Sequence, residues 1–233
     1  MIPARRSRYD ARMRIVPVVN QKGGVGKSTV VMNLAAVAAE RQRVLVVDAD
    51  HLQQTATSWA AAGEAAGREL PFDFDAVDDP ALIGRLRGLR DYDLVLIDTP
   101  GSLAESERPR IAAALDVADL VIMPIEPAYN SIKPLVTTVQ SLVAPRGTPY
   151  RVLLSRVQRD DAGRKRRDET AALLDEMGLP RFETAVRQYV VHLDAPASGD
   201  VVTTYPVTRA TLGAQQDFRE LALELDGLAV GRS

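Results

Sequence analysis

The chain contains no cysteine. That excludes disulfides, thiolate metal sites, iron–sulfur clusters and cysteine nucleophiles in one step. Histidine is nearly as scarce. His51 and His192 are the only imidazoles, too few for a histidine-rich metal centre. No apolar run approaches the roughly 18 residues needed to cross a bilayer. Met1 to Arg14 carries five arginines and no apolar stretch, so it does not read as a secretory signal. Neither charge dominates, with 29 basic against 31 acidic residues, and bulk electrostatics therefore selects no partner. Lysine is rare: Lys22, Lys27, Lys133 and Lys165 stand against 25 arginines. Two of the four lie five residues apart in one glycine-rich loop. In an arginine-biased chain, a retained lysine marks a place where a compact point charge is required.

What is present is globular. The 233 residues are 46% hydrophobic and 26% charged, enough for one sizeable core. Residues 1–14 read as a basic, disordered arm, and 15–233 as a single domain without repeats or linkers. Short apolar runs rich in Val, Ile and Leu recur at Ile15–Asn20, Val44–Asp48, Leu94–Asp98, Leu120–Pro124 and Arg151–Ser155. They lack polar alternation, as strands buried on both faces do. Helical spacing separates them, roughly at Ser28–Arg41, Gln53–Ala62, Pro80–Leu89, Glu105–Val117, Ile132–Val143, Ala162–Met177 and Thr208–Leu225. The pattern predicts an α/β fold, a doubly wound, mostly parallel sheet flanked by helices.

The first strand runs into Lys22-Gly23-Gly24-Val25-Gly26-Lys27-Ser28-Thr29, which opens a helix. Successive amide groups of a glycine loop at a helix N-terminus form an anion nest. Lys27 is placed to reach the β- and γ-phosphates of a nucleotide, and Ser28 to ligate Mg²⁺. The usual pattern has a glycine five residues before the Gly-Lys-Ser/Thr; here Gln21 takes that place.

Two further strand ends carry acids. Asp48 and Asp50 close the second apolar run, where alternation puts both on one side of the carboxyl edge of the sheet, near the metal. Asp93–Asp98 looks like a Walker B strand, which implies Asp98 beside Mg²⁺, and the Thr99-Pro100-Gly101 that follows resembles a switch loop.

The octamer KGGVGKST is the deviant Walker A sequence, and through it the chain resembles the ParA/MinD family of P-loop ATPases. The resemblance covers most of Ile15–Leu225. It implies ATP and Mg²⁺ as cofactors and an ATP-dependent homodimer in which Lys22 acts on the partner's nucleotide. It also implies that Asp50 positions the attacking water while Asp48 supports the metal and Lys27. The family's Asp-x-Asp-Pro-Gln pattern is interrupted: His51-Leu52-Gln53-Gln54 follows Asp50 without proline, as if one residue were inserted. His51 reads as a solvent-facing loop residue.

Within the family, members built on cysteines are excluded. Membrane-targeted members end in a basic amphipathic helix, whereas Asp217–Asp226 has one arginine against four acids. What remains is similar to the small ParA and ParF-like partition ATPases. That implies a cytoplasmic, nucleoid-associated protein that moves plasmid or chromosomal DNA, binds DNA without sequence preference and answers to a ParB-like centromere-binding adaptor. Seven basic residues between Arg151 and Arg167 against two aspartates supply a local excess of positive charge. Arg164, Lys165, Arg166 and Arg167 are therefore candidate DNA contacts. Arg187 is a further one by resemblance, and Arg209 a weaker one. Two alternatives stand beside partition: an ATPase that positions another cargo, such as a chemosensory cluster or microcompartment, and a synthetase that phosphorylates a small substrate.

Overall fold

A computed structural model describes residues 13–102 and 104–230. Most of the basic arm expected at the N-terminus lies outside the described residues. Strand β1 (Arg14–Val18) takes in Arg14, whose guanidinium lies 2.5 Å from Asp226 near the end of the last helix.

Six strands form one sheet in the order β3-β2-β4-β1-β5-β6, and every pairing is parallel. The strands β2 (Val44–Asp48), β4 (Leu94–Asp98) and β5 (Val121–Ile125) are buried along their whole length. Helices cover both faces, and this is why the apolar runs show no polar alternation. Val16, Val46, Leu96 and Leu153 face one core, against α1 (Lys27–Ala38), α7 (Val191–Ser198) and α8 (Arg209–Val230). Ile15, Val47, Val95 and Ile97 face the other way, towards α3 (Pro80–Gly84) and α4 (Arg108–Asp116). Beside these, α5 (Tyr129–Thr138) and α6 (Asp161–Glu176) pack on β5 and β6 (Tyr150–Leu154).

Three elements depart from the sequence expectation. The edge strand β3 (Asp73–Ala76) reads DFDA and is mostly exposed, so it has none of the apolar signature of its neighbours. Charged residues on a short edge strand protect it against pairing with other chains. Helix α7 contains Pro196, which hides its periodicity, yet Val191 and Ala195 bury against the core. Helix α2 (Thr55–Ala65) begins two residues later than expected because the turn after Asp50 takes up Gln53 and Gln54. The strand ends β1, β2 and β4 converge at the carboxyl edge, where open parallel sheets bind ligands.

Candidate nucleotide site

A cleft of about 560 Å³ opens at that edge, floored by Gly23, Gly24, Gly26, Lys27, Ser28 and Thr29. The phosphate loop needs glycine in two places, because Gly24 (φ +78°) and Gly26 (φ +88°) adopt left-handed backbone. Val25 turns its side chain into the core and contributes only its backbone to the loop. Helix α1 starts at Lys27 without a side-chain cap, so its first amide groups remain open to an anion.

Lys27 is 7% exposed. Burial pulls its pKa below the ordinary lysine value, against the opposing pull of Asp98 and Asp50. The switch loop closes on its ammonium: a β-carbon placed on Gly101 would stand 2.9 Å from Lys27 Nζ and 3.3 Å from Gly23 Cα.

Asp98 is 1% exposed, and neither carboxylate oxygen has a hydrogen-bond partner. Burial raises its pKa to about 7. The approach of the Ser28 hydroxyl and the charge of Lys27 offset part of that rise, although Ser28 does not reach hydrogen-bond geometry. A buried, unpaired carboxyl is costly unless something charged completes it. Ser28 and Asp98 therefore fit a Mg²⁺ site. Among the described residues no cluster of three or more His, Asp and Glu is arranged to hold a metal ion alone. A cation here would need phosphate oxygens as further ligands.

The paired aspartates divide their work. Asp48 does not line the cleft. Its Oδ1 accepts the Asp50 amide (2.9 Å) and its Oδ2 accepts the amide and hydroxyl of Thr57 (2.8 and 2.7 Å). Asp48, expected to support metal and lysine, is engaged by the Asp50 turn and by α2. Asp50 does line the cleft and is 8% exposed. Its Oδ1 accepts the Gln53 amide at 3.0 Å, which leaves Oδ2 for a ligand or water. The inserted residue is accommodated by a turn in which Gln54 (φ +48°) donates its amide to the Asp50 carbonyl. His51 is half-exposed, its Nδ1 lies 2.9 Å from the Asp78 carboxylate, and it does not line the cleft.

Lys22 stands apart. It does not line the cleft of its own chain, and among the described residues no carboxylate lies within ion-pair distance of its ammonium. Its amide is fixed by Asn20 Oδ1 at 2.8 Å, and Asn20 in turn donates to the Pro124 carbonyl. Gln21, in the place of the usual glycine, donates to the Pro134 carbonyl of α5 at 2.8 Å.

The structure adds cleft residues that sequence reasoning did not assign. Glu107, Arg156, Gln188, His192 and Leu193 come from distant elements to complete the rim. The sequence signal for Arg156 was its place directly after a buried strand, but it was counted only as bulk charge.

The candidate DNA contacts are less free than their sequence suggests. Arg164 pairs with Asp161, Lys165 with Glu169 at 3.7 Å and Arg167 with Asp168 at 2.6 Å. Four cations on α6 face five acids on the same helix, a net charge of one negative. The basic run is also divided, since Arg156 sits in the cleft and Arg159 stacks 4.7 Å from the Tyr189 ring. Arg187 is held bidentately by Asp217, which is 2% exposed. Its side chain stays 42% exposed, so the residue expected as a DNA contact is paired internally and still reaches the surface. Arg209 opens helix α8 at the surface.

Comparison with known proteins agrees with this geometry. The model of the CobQ/CobB/MinD/ParA nucleotide binding domain matches residues 16–201. A maintenance of carboxysome distribution protein A from Gloeobacter kilaueensis is 40% identical over 91% of this chain and 94% of its own. The chromosome-partitioning ATPase Soj of Thermus thermophilus is 30% identical over 92% of this chain and 96% of its own. Among solved structures, the septum site-determining protein MinD of Pyrococcus horikoshii, complexed with Mg-ADP, superposes with a TM-score of 0.70. That pair shares 22% identity over 93% of this chain and 97% of the other, a likeness of fold.

Proposed function

Because the chain belongs to the CobQ/CobB/MinD/ParA nucleotide-binding family, we propose that it is a Mg²⁺-dependent ATPase that distributes a large body inside the cell. Its ATP-bound form pairs face to face with a second copy. The observation that carries this reading is the separation of the two loop lysines. Lys27 is buried on the cleft floor, whereas Lys22 lies outside the cleft with no counter-ion among the described residues. A cation that cannot serve its own chain is available to a partner's nucleotide, as an arginine finger is. Leu52 and Leu193, 61% and 62% exposed at the cleft rim, offer apolar surface for the same contact.

Mg²⁺, when bound at Ser28 and Asp98, supplies charge neutralisation of the terminal phosphates. The chain does the rest. Lys27 and the loop amides hold the phosphate chain, and the free Oδ2 of Asp50 orients the attacking water. Lys22 of the second copy adds charge that only a dimer provides.

For cargo, the 40% identity to a carboxysome-distribution protein supports a protein-built body carried through an adaptor. Partition of DNA with a ParB-like adaptor is the second reading, supported by the Soj relative. Partition needs a cytoplasmic protein that grips DNA without sequence preference, and Arg164, Lys165 and Arg166, exposed on α6 beside the half-buried Arg167, are its candidate cations. No helix among the described residues is long and apolar enough to cross a membrane.

Two variants test the proposal. Lys27→Ala should lose nucleotide binding by calorimetry. Lys22→Ala should keep it, yet fail to dimerise with ATP in light scattering and fail to turn over. Normal ATP-driven dimers of Lys22→Ala would rule out its action on a partner.

A further inference from the structure

The phosphate loop is tied from behind by two successive residues at the end of β6. The Ser155 hydroxyl donates to the Val25 carbonyl at 2.8 Å, and the Arg156 guanidinium donates to the Gly24 carbonyl. In a trans peptide, a carbonyl and the following amide point in opposite directions. Holding the Gly24 carbonyl therefore aims the Val25 amide, and holding the Val25 carbonyl aims the Gly26 amide. These are amides of the anion nest. Glycine supplies no rigidity of its own, so a loop of this composition needs an external hold to keep its amides converged.

Arg156 is itself over-determined. The same Nη1 lies 2.9 Å from Glu126 Oε1, and its Nε donates to Gln188 Oε1 at 3.3 Å. Its Cγ and Cδ would lie 3.8 and 3.9 Å from a β-carbon on Gly26. Its backbone has φ +54°, a conformation that side-chain-bearing residues avoid and that persists only where surroundings enforce it. Ser155 beside it donates its amide to the Ile125 carbonyl at 2.8 Å, so the end of β5 anchors the strap. Glu126, the next residue, balances the guanidinium charge and holds it at the cleft rim against the Gly24 carbonyl.

We propose that Arg156 is a positioning residue of the nucleotide site, which orients the Val25 amide through the Gly24 carbonyl and is itself oriented by Glu126. The proposal rests on the nucleotide reading above. A merely structural arginine would affect the whole fold, whereas this one should affect the loop.

Arg156→Gly is the decisive variant, because glycine accepts φ +54° and removes only the side chain. Hydrogen exchange in the nucleotide-free protein should show faster exchange at Val25 and Gly26 with β1 unchanged. ADP, which isolates one chain's own site, should bind about tenfold more weakly, equivalent to about 1.4 kcal/mol. Arg156→Lys should recover part of the affinity, since an ammonium reaches one partner but not three. Glu126→Gln should move both readouts in the same direction by less. Unchanged loop exchange together with unchanged ADP affinity overturns the proposal. So does protection lost evenly across the sheet, which would make Arg156 a general strut. Should the unaltered protein bind no ADP, the nucleotide reading fails, while the exchange measurement still decides the strap.

Discussion

Arg187 and Asp217 form a closed unit in which the guanidinium Nε and Nη2 lie 3.0 and 2.5 Å from Asp217 Oδ1, while the Arg187 amide donates to Oδ2 at 2.9 Å. The carboxylate is 2% exposed, and its hydrogen bonds to the guanidinium raise the arginine pKa further. The arginine side chain is 42% exposed, so water offsets part of the charge left on Asp217, and losing the guanidinium should cost about 1–3 kcal/mol. Arg187→Ala should therefore lower the urea midpoint strongly, and Arg187→Ala with Asp217→Asn should recover much of it. Loss of DNA binding in Arg187→Ala alone would not identify a DNA contact. A midpoint within error of the unaltered protein would show that the pair contributes nothing.

Gly101 is the place where the loop after β4 touches Lys27. Alanine there meets the far end of a flexible side chain and the backbone of Gly23, at 2.9 and 3.3 Å. Lys27 can swing aside, so stability should change by about 1 kcal/mol or less. Its displaced charge should lower ATP turnover by about tenfold or more, since each 1.36 kcal/mol of lost transition-state stabilisation is a factor of ten. Turnover close to that of the unaltered protein would show that the loop does not hold Lys27.

His192 should set the acid limb of stability. Burial between the Tyr189 and Phe218 rings lowers its pKa to about 4 from 6.5, so the folded state disfavours the charged form. The folded chain then binds fewer protons than the unfolded one between these values. Stability is full above pH 6.5 and falls as the pH drops towards 4, by about 3 kcal/mol at most from this residue. Replacement by phenylalanine should flatten that part of the denaturation-midpoint profile. An identical slope in the variant would assign the acid limb to carboxylates instead.

The four α6 cations should be dispensable for folding. Arg164, Lys165, Arg166 and Arg167 lie on the surface, and exposed ion pairs within one helix contribute a few tenths of a kcal/mol each. Replacing all four with alanine should leave basal ATPase near normal. DNA affinity and its salt dependence should both fall, as fewer phosphates are neutralised. A gel shift on two unrelated duplexes at several salt concentrations measures this. Unchanged affinity would move the DNA-binding surface elsewhere on the molecule.

The sequence by itself determined the phosphate loop, the parallel sheet and the positions of Asp50 and Asp98. Each of these is local. Strand, glycines, Lys27, Ser28 and helix follow one another within a few residues, and burial on both faces writes itself into β2, β4 and β5 as unbroken apolar runs. What the tertiary structure decided involves partners far apart in the chain, for which no spacing rule exists. Arg156 meets Gly24 from 132 residues away, and Arg187 finds Asp217 across 30. A run of basic residues became a nucleotide-site strap, a stack on Tyr189 and a helix with its own counter-ions, because side-chain charge is legible in sequence while its neutralisation is not. Asp48 and Asp50 look equivalent at a strand end; only packing of α2 against the turn, through Thr57, commits one of them to structure and leaves the other in the cleft.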